Sequence, residues 1–186
     1  MICTAAAGAL SASLQVAPGG MSYTAAVEVS GASEYGFWDT GPLGERIPKT
    51  VSNVSLRGDC GNCSFDWADP FTMNFTKGNY TILYSGGVME NHLQGSFDGL
   101  YNVSVTLPPG LDVRNPLLGM QSPGAVVREN GSSLDITWNG TRSFEVRYYT
   151  PERERLLLVF GALWLVGLVL VLVPFLLERR GHGKGP

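Results

Sequence analysis

An all-β fold followed by one membrane-spanning α-helix is what this chain predicts. Three observations carry that reading. Short runs of alternating apolar and polar residues recur from Tyr23 onward, with 24 glycines and 11 prolines spread between them. An uncharged apolar segment runs from Leu156 to Leu177. Seven of the nine asparagines open the pattern Asn-x-Ser/Thr, where random placement would yield only about one or two.

The elements follow in order. Residues 1–22 are rich in Ala, Gly and Ser and predict a flexible N-terminal segment or the remnant of an export signal; they lack a basic start and have only a thin apolar stretch. Tyr23, Ala25, Val27 and Val29 alternate as a first strand, and Lys49 to Leu56 makes a second. Phe71, Met73 and Phe75 form one further run and Tyr80, Ile82 and Tyr84 another. From Met89 to Asp98 the parity is clear, with Leu93 and Phe97 on one face and Glu90, His92, Gln94, Ser96 and Asp98 on the other. Tyr101, Val103, Val105 and Leu107 read as the next strand, stopped by Pro108-Pro109-Gly110.

The last third predicts a three-stranded meander. Leu134, Ile136 and Trp138 alternate between Asn130-Gly131 and Asn139-Gly140, and Phe144, Val146 and Tyr148 alternate beyond. Asn-Gly favours the left-handed backbone that tight hairpins need. About eight strands with regular turn signals predict an immunoglobulin-like two-sheet sandwich over residues 23–150. Residues 151–155 form a juxtamembrane link and 178–186 a short tail. A link that short is expected to keep the domain near the bilayer surface.

Between link and tail lies the span, residues 156–177. At 1.5 Å per residue it measures roughly 33 Å, the thickness of a hydrocarbon core. It has no polar face, which a core helix of so small a domain would need. Pro174 sits one turn from its end, Trp164 lies mid-span, and Gly161 and Gly167 project from different faces. Arg179, Arg180 and Lys184 follow the span, but Arg142, Arg147, Arg153 and Arg155 precede it, so charge alone leaves orientation nearly balanced. The sequons and paired cysteines favour the long part outside and the tail in the cytoplasm; a tail-anchored protein with a cytosolic domain is the competing topology.

Candidate glycosylation sites are Asn53, Asn62, Asn74, Asn79, Asn102, Asn130 and Asn139. Strand alternation by itself also generates Asn-x-Ser/Thr at Asn53, Asn74, Asn79 and Asn102, whereas Asn62, Asn130 and Asn139 fall in turns. Cys60-Gly61-Asn62-Cys63 is the sharpest local motif, expected as a small disulfide. Its alternatives are a redox pair, which needs a βαβ setting, and a zinc site, for which His92 and Cys3 are the distant extra ligands. Asp59, Asp66 and Asp69 flank it without a calcium-loop spacing. Cys3 is a candidate for lipidation.

Net charge is −3 with no basic run outside the membrane flanks, which speaks against nucleic acid as a partner. No nucleophile motif surrounds a serine, and no phosphate-binding glycine loop follows a strand. No cofactor is implied. The face from Glu90 to Asp98, and the aromatics Phe37, Trp38 and Trp67, are candidate recognition surfaces whose ordinary reading is a wet sheet face and core packing.

Motifs of the C-terminal half carry a resemblance. Thr106-Leu107-Pro108-Pro109-Gly110, Asn115-Pro116-Leu117-Leu118-Gly119, Ser122-Pro123-Gly124, Ile136-Thr137-Trp138 and Val146-Arg147-Tyr148-Tyr149 resemble an uncharacterised archaeal family of membrane-anchored, lipoprotein-like surface proteins with one C-terminal span. The resemblance covers roughly residues 75–180. It implies a cell-envelope setting and brings no catalytic residues; the family pattern starts with a full export signal and a lipid-attachment cysteine, and this chain departs from it there, with Cys3 the candidate for that cysteine. The expected function is a non-catalytic binding or structural role at the cell surface, with membrane lipid and an envelope protein or glycan as partners. The alternatives are an accessory subunit of a larger membrane complex, joined through the span, and an extracellular redox or hydrolytic factor.

Overall fold

The computed structural model describes residues 9–41 and 44–181, with backbone alone at 61–62 and 175–181. The chain divides after Tyr149 into two units. In the first, the strands are β1 (Leu10–Val16), β2 (Ser22–Gly36), β3 (Trp38–Thr40), β4 (Arg46–Pro48), β5 (Val51–Gly58), β6 (Gly61–Cys63), β7 (Asp66–Asp69), β8 (Thr72–Gly87), β9 (His92–Leu107), β10 (Met120–Gln121), β11 (Val126–Asn130) and β12 (Ser133–Arg147). Ten of them hydrogen-bond into one sheet along the path β10-β12-β9-β1-β2-β8-β5-β6, with β11 beside β12 and β7 beside β8. Strands β3 and β4 form a separate hairpin.

The segment expected to be flexible, residues 1–22, is where structure and expectation part most. Leu10–Val16 forms β1 at the centre of the sheet, antiparallel to β2 and parallel to β9. Its alternation is real but faint: Ala12, Leu14 and Val16 are buried while Ser11, Ser13 and Gln15 are exposed. Small residues gave it little hydrophobic contrast, so its identity comes from the two flanking strands. Without β1, the remaining ladders would be two separate groups, β9 to β12 and β2 with β5 to β8. The expected division into two sheets therefore meets a strand that joins them.

Side chains of one face pack together across the sheet. Leu56, Ile82, Val27, Ala12, Val103 and Trp138 stand opposite one another in register, strand after strand. Each is at most 2% exposed. Fully burying a large apolar side chain contributes about 1.5–3 kcal/mol, so this row is a main source of stability.

Four strands are longer than their sequence suggested because glycines bend them without ending them. The runs ending at Phe75 and starting at Tyr80 are both in β8, and those on either side of Gly99 are both in β9. In β2, Gly31 takes φ 63° and the register shifts between Val29 and Ala32. Asn79 secures this bulge: its Oδ1 accepts from Ser30 Oγ (2.8 Å) and from the Gly31 N–H (2.9 Å). The Asn130-Gly131 hairpin forms as expected between β11 and β12. Asn139-Gly140, by contrast, is a bulge inside β12, where Gly140 has φ 60° and donates its N–H to Asn102 Oδ1 (3.1 Å). The expected third strand of the meander is thus the far end of β12, paired with β9 and β10.

The crossover from β9 to β11 is fastened at Asp112, whose backbone bridges to Tyr149. The Asp112 carboxylate accepts from the N–H groups of Val113 (2.6 Å) and Arg114 (2.9 Å) and from the Arg114 guanidinium (2.6 Å). Arg114 also pairs with Glu129. Burial alone would push the Asp112 pKa up, but these bonds outweigh it and hold it below the usual range. A carboxylate depressed in the fold adds stability above its unfolded pKa near ~4, and that stability fades as pH falls through the folded value. Asp112→Asn should therefore cost about 1 kcal/mol at neutral pH. Urea melts should show the gap from wild type closing below about pH 4.

The second unit holds α1, Pro151–Gly181. Proline suits its first turn, and Glu152 and Glu154 there complement the helix dipole. Pro151–Pro174 is long and apolar enough to cross a membrane, its most apolar 18 residues having a mean hydropathy of 3.0 with none of them buried. A helix apolar on every side needs lipid or protein around it, and a membrane anchor fits that need.

Candidate functional site

The most distinctive place in the β unit is where β1 stops. Strand β8 stays on one side of β2 from Ser22↔Gly87 to Gly36↔Thr72, and β12 stays on one side of β9 from Leu107↔Leu134 to His92↔Arg147. Between the other two edges runs β1, but only as far as Leu10, which pairs with Tyr101. Beyond that point β2 continues through residues 32–36, and β9 reaches back through 92–100. Among the described residues no backbone ladder covers these edges on the β1 side. Among the described residues a slot is thus left between these two edges.

The slot is a cavity of about 660 Å³ lined from both edges, with Leu10 and Leu14 below. Aromatic rings make its floor: Phe97 stacks on Tyr101 at 4.3 Å and lies 6.2 Å from Phe144, and Tyr35 meets Phe37 edge-on at 5.1 Å. The Tyr101 hydroxyl crosses to donate to the Glu28 carbonyl (2.8 Å), closing the end next to β1.

The β3–β4 hairpin stands beside the slot and touches β9 through side chains. Gln94 Nε2 donates to the Thr40 carbonyl and Lys49 Nζ to the Gln94 carbonyl, both at 3.3 Å. Lys49 is also 2.7 Å from Asp39 Oδ1, and Arg46 is 3.5 Å from Asp98 Oδ1. A second cavity of about 710 Å³ is lined by Ile47, His92, Ser122, Ser143 and Glu145. There His92 Nε2 lies 2.8 Å from Glu145 Oε1, while Ser122 Oγ accepts the Glu145 N–H at 3.1 Å.

Tyr35 and Tyr84 line the slot, and Tyr23 packs edge-on against Tyr84. Burial pushes the Tyr35, Tyr84 and Tyr23 hydroxyls well above their ordinary pKa, with the neighbouring phenols and the Asp39 charge adding to it. Burial also lifts Tyr148 to about 12; its hydroxyl donates to the Gly20 carbonyl at 2.6 Å. Raised folded values mean this stability is complete below the unfolded pKa near ~10 and is lost as pH climbs through the folded values. In an alkaline titration followed by ultraviolet absorbance, these four phenols should ionise only together with unfolding, in one steep step.

The sequence-derived candidates are distributed as follows. Cys60 and Cys63 have Cα atoms 5.6 Å apart, at disulfide distance, across the tight β5–β6 turn. Asn53, Asn74, Asn79, Asn102, Asn130 and Asn139 are all exposed; Asn130 Nδ2 donates to Asp135 at 3.0 Å. Asn62 pairs with Arg57 in the β5–β6 ladder, and its side chain lies outside those described. Cys3 also lies outside the described residues. Asp59, Asp66 and Asp69 are exposed, and Asp69 Oδ1 accepts the Phe71 N–H at 2.7 Å. No group of three His, Cys, Asp or Glu residues that could hold a metal occurs among the described residues. The polar face of His92, Gln94 and Asp98 is occupied by Glu145 and the β3–β4 hairpin. Phe37 is buried, whereas Trp67 is 46% exposed against Phe37 and Phe65. Sequence reasoning missed the slot, because it exists only relative to β1.

No curated protein matches the chain. Residues 67–180, more than half of its length, match a family of unknown function, DUF5803. The match takes in β8 to β12 and nearly all of α1, the same stretch whose motifs suggested an uncharacterised family. The chain belongs to this family of unknown function, DUF5803.

Proposed function

We propose that this is a single-pass, membrane-anchored and N-glycosylated surface protein of the cell envelope, whose outward-facing β domain binds a partner and performs no catalysis. One observation carries the reading. The six sequon asparagines with described side chains are all exposed, and none lines either cavity. Glycans at these positions would coat the domain and leave the slot open. The apolar helix supplies the anchor, and the archaeal setting implied by the resemblance supplies the envelope. The two strand groups joined by β1 are read as the halves of an immunoglobulin-like sandwich that this strand has stitched together.

A binding role is further supported by how the one histidine beside the cavities is used. His92 Nε2 is paired with Glu145, and among the described residues no nucleophile is hydrogen-bonded to the imidazole. Glycopeptide mass spectrometry on protein from its own host, with protease treatment of intact cells, tests the proposal. Sugar at several of the six sites and cleavage without permeabilisation are expected. An unmodified domain that resists protease until the cells are opened would overturn it.

A further inference from the structure

We infer that the loop end of the β unit around Tyr149 is a lipid-contact face, whose apolar tips Met21, Met89 and Leu117 seat in the interface of an uncharged bilayer. The inference rests on the membrane-anchor reading of α1 and names the surface that the anchored domain touches.

Exposure singles these residues out. Met21, Met89 and Leu117 are 81%, 83% and 78% exposed, more than any other large apolar side chain described. They belong to three separate loops, yet backbone contacts bring those loops to one place. The Val88 N–H donates to the Met21 carbonyl at 2.8 Å, which sets the β1–β2 turn beside the β8–β9 turn. The Asn91 carbonyl, in the second of these turns, accepts the Tyr148 N–H at 3.0 Å. Leu117 lies in the crossover that follows β9. That crossover bridges to Tyr149 through Asp112, and its Asn115 N–H donates to the Tyr149 hydroxyl at 3.1 Å. Tyr148 and Tyr149 are therefore the hub of the cluster, and Tyr149 is the last residue of the β unit.

The tips are held outward by their turns. Glu90 and Asn91 both take left-handed backbone, with φ 54° and 56°, in a turn closed from the His92 N–H to the Met89 carbonyl at 2.9 Å. The Leu117 N–H donates to Asn115 Oδ1 at 3.0 Å. Apolar side chains fixed this far into water are a cost to the domain until something apolar covers them.

Chain length argues for what covers them. Only Thr150 separates Tyr149 from α1, and the uncharged segment starts at Leu156. Two extended steps and five helical ones span at most roughly 15 Å. A face tethered so close to the hydrocarbon has lipid as its constant neighbour. The charges suit an uncharged lipid surface. Glu152 and Glu154 balance Arg153 and Arg155 in the link, and Asp112 is paired with Arg114. Insertion is thus apolar and needs no acidic lipid.

Depth measurement tests this. The full-length chain carrying Cys3→Ser is reconstituted in phosphatidylcholine vesicles at high lipid excess. A polarity-sensitive fluorophore is attached in turn at Met21→Cys, Met89→Cys and Leu117→Cys. The control is Leu100→Cys, 55% exposed at the other end of β9, beside the Tyr101–Leu10 pair. Labels at the tips should be blue-shifted. Nitroxide-bearing lipid should quench them at least about twofold more than the control, most strongly with the nitroxide about 5–10 Å below the surface. High salt should leave the quenching unchanged.

Tip labels as wet as the control would overturn the inference, as would quenching that vanishes at high salt. Blue-shifted labels that the lipid-borne nitroxide does not reach would overturn it too, because a second copy of the chain then covers the face. Protein that alkaline carbonate strips from the vesicles would sink the anchor reading and this inference together; retained protein with wet tips sinks this inference alone. Both leaflets carry the quencher, so the result is independent of which side of the cell the β unit occupies.

Discussion

Leu14→Asp should prevent the β unit from folding. Leu14 is 4% exposed and stands between Ala25 on β2 and Val105 on β9. A carboxylate there has no cation within the row of apolar residues around it, and burying an unpaired charge costs several kcal/mol. A domain's whole stability is only about 5–15 kcal/mol. The position is also structural in a second sense, because β1 is the strand through which the two groups of ladders are joined. Circular dichroism should show loss of the cooperative melt. Ser13→Asp, one residue away on the exposed face, should leave that melt almost unchanged. A folded Leu14→Asp protein with a near-native midpoint would mean that the sheet does not depend on β1.

The second large effect is at Trp138. It is 2% exposed, lies 5.6 Å from the Phe144 ring, and donates its indole N–H to the Ser122 carbonyl at 3.3 Å. Trp138→Ala should cost about 3–5 kcal/mol, since the surrounding rings cannot close the space left behind. That corresponds to a fall in Tm of roughly 10–20 °C for a domain of this size. Trp138→Phe keeps most of the packing but abandons the Ser122 carbonyl, and should cost closer to about 1–2 kcal/mol. Equal losses from the two substitutions would show that the hydrogen bond, and not the filled volume, matters at this position.

How much of this could be read from the residues differs by element. Strands with strong contrast were legible: Val103 to Leu107, Leu134 to Trp138 and Tyr23 to Val29 lie where alternation put them, with the expected faces buried. The helix was legible because an uncharged run of that length has few alternatives. Strand β1 was not, because Ala12 and Ser13 differ too little in polarity to declare a face. Nor was the continuity of β8 and β9, because glycine marks a bend and a turn with the same letter. Asn139-Gly140 shows the same ambiguity: its left-handed backbone serves a bulge as well as it serves a hairpin. The slot could not be read at all. It is defined by where one strand ends relative to two others, and no residue type signals that.

The central position of β1 has a consequence for how the molecule is made. Its partner on one side, β2, follows within a few residues, but its other partner, at Tyr101 to Thr106, lies about ninety residues downstream. Strand β1 must wait, half satisfied, until β9 has been made. Completion is therefore a late, long-range closure, slow by nature and exposed to wrong pairings in the interval.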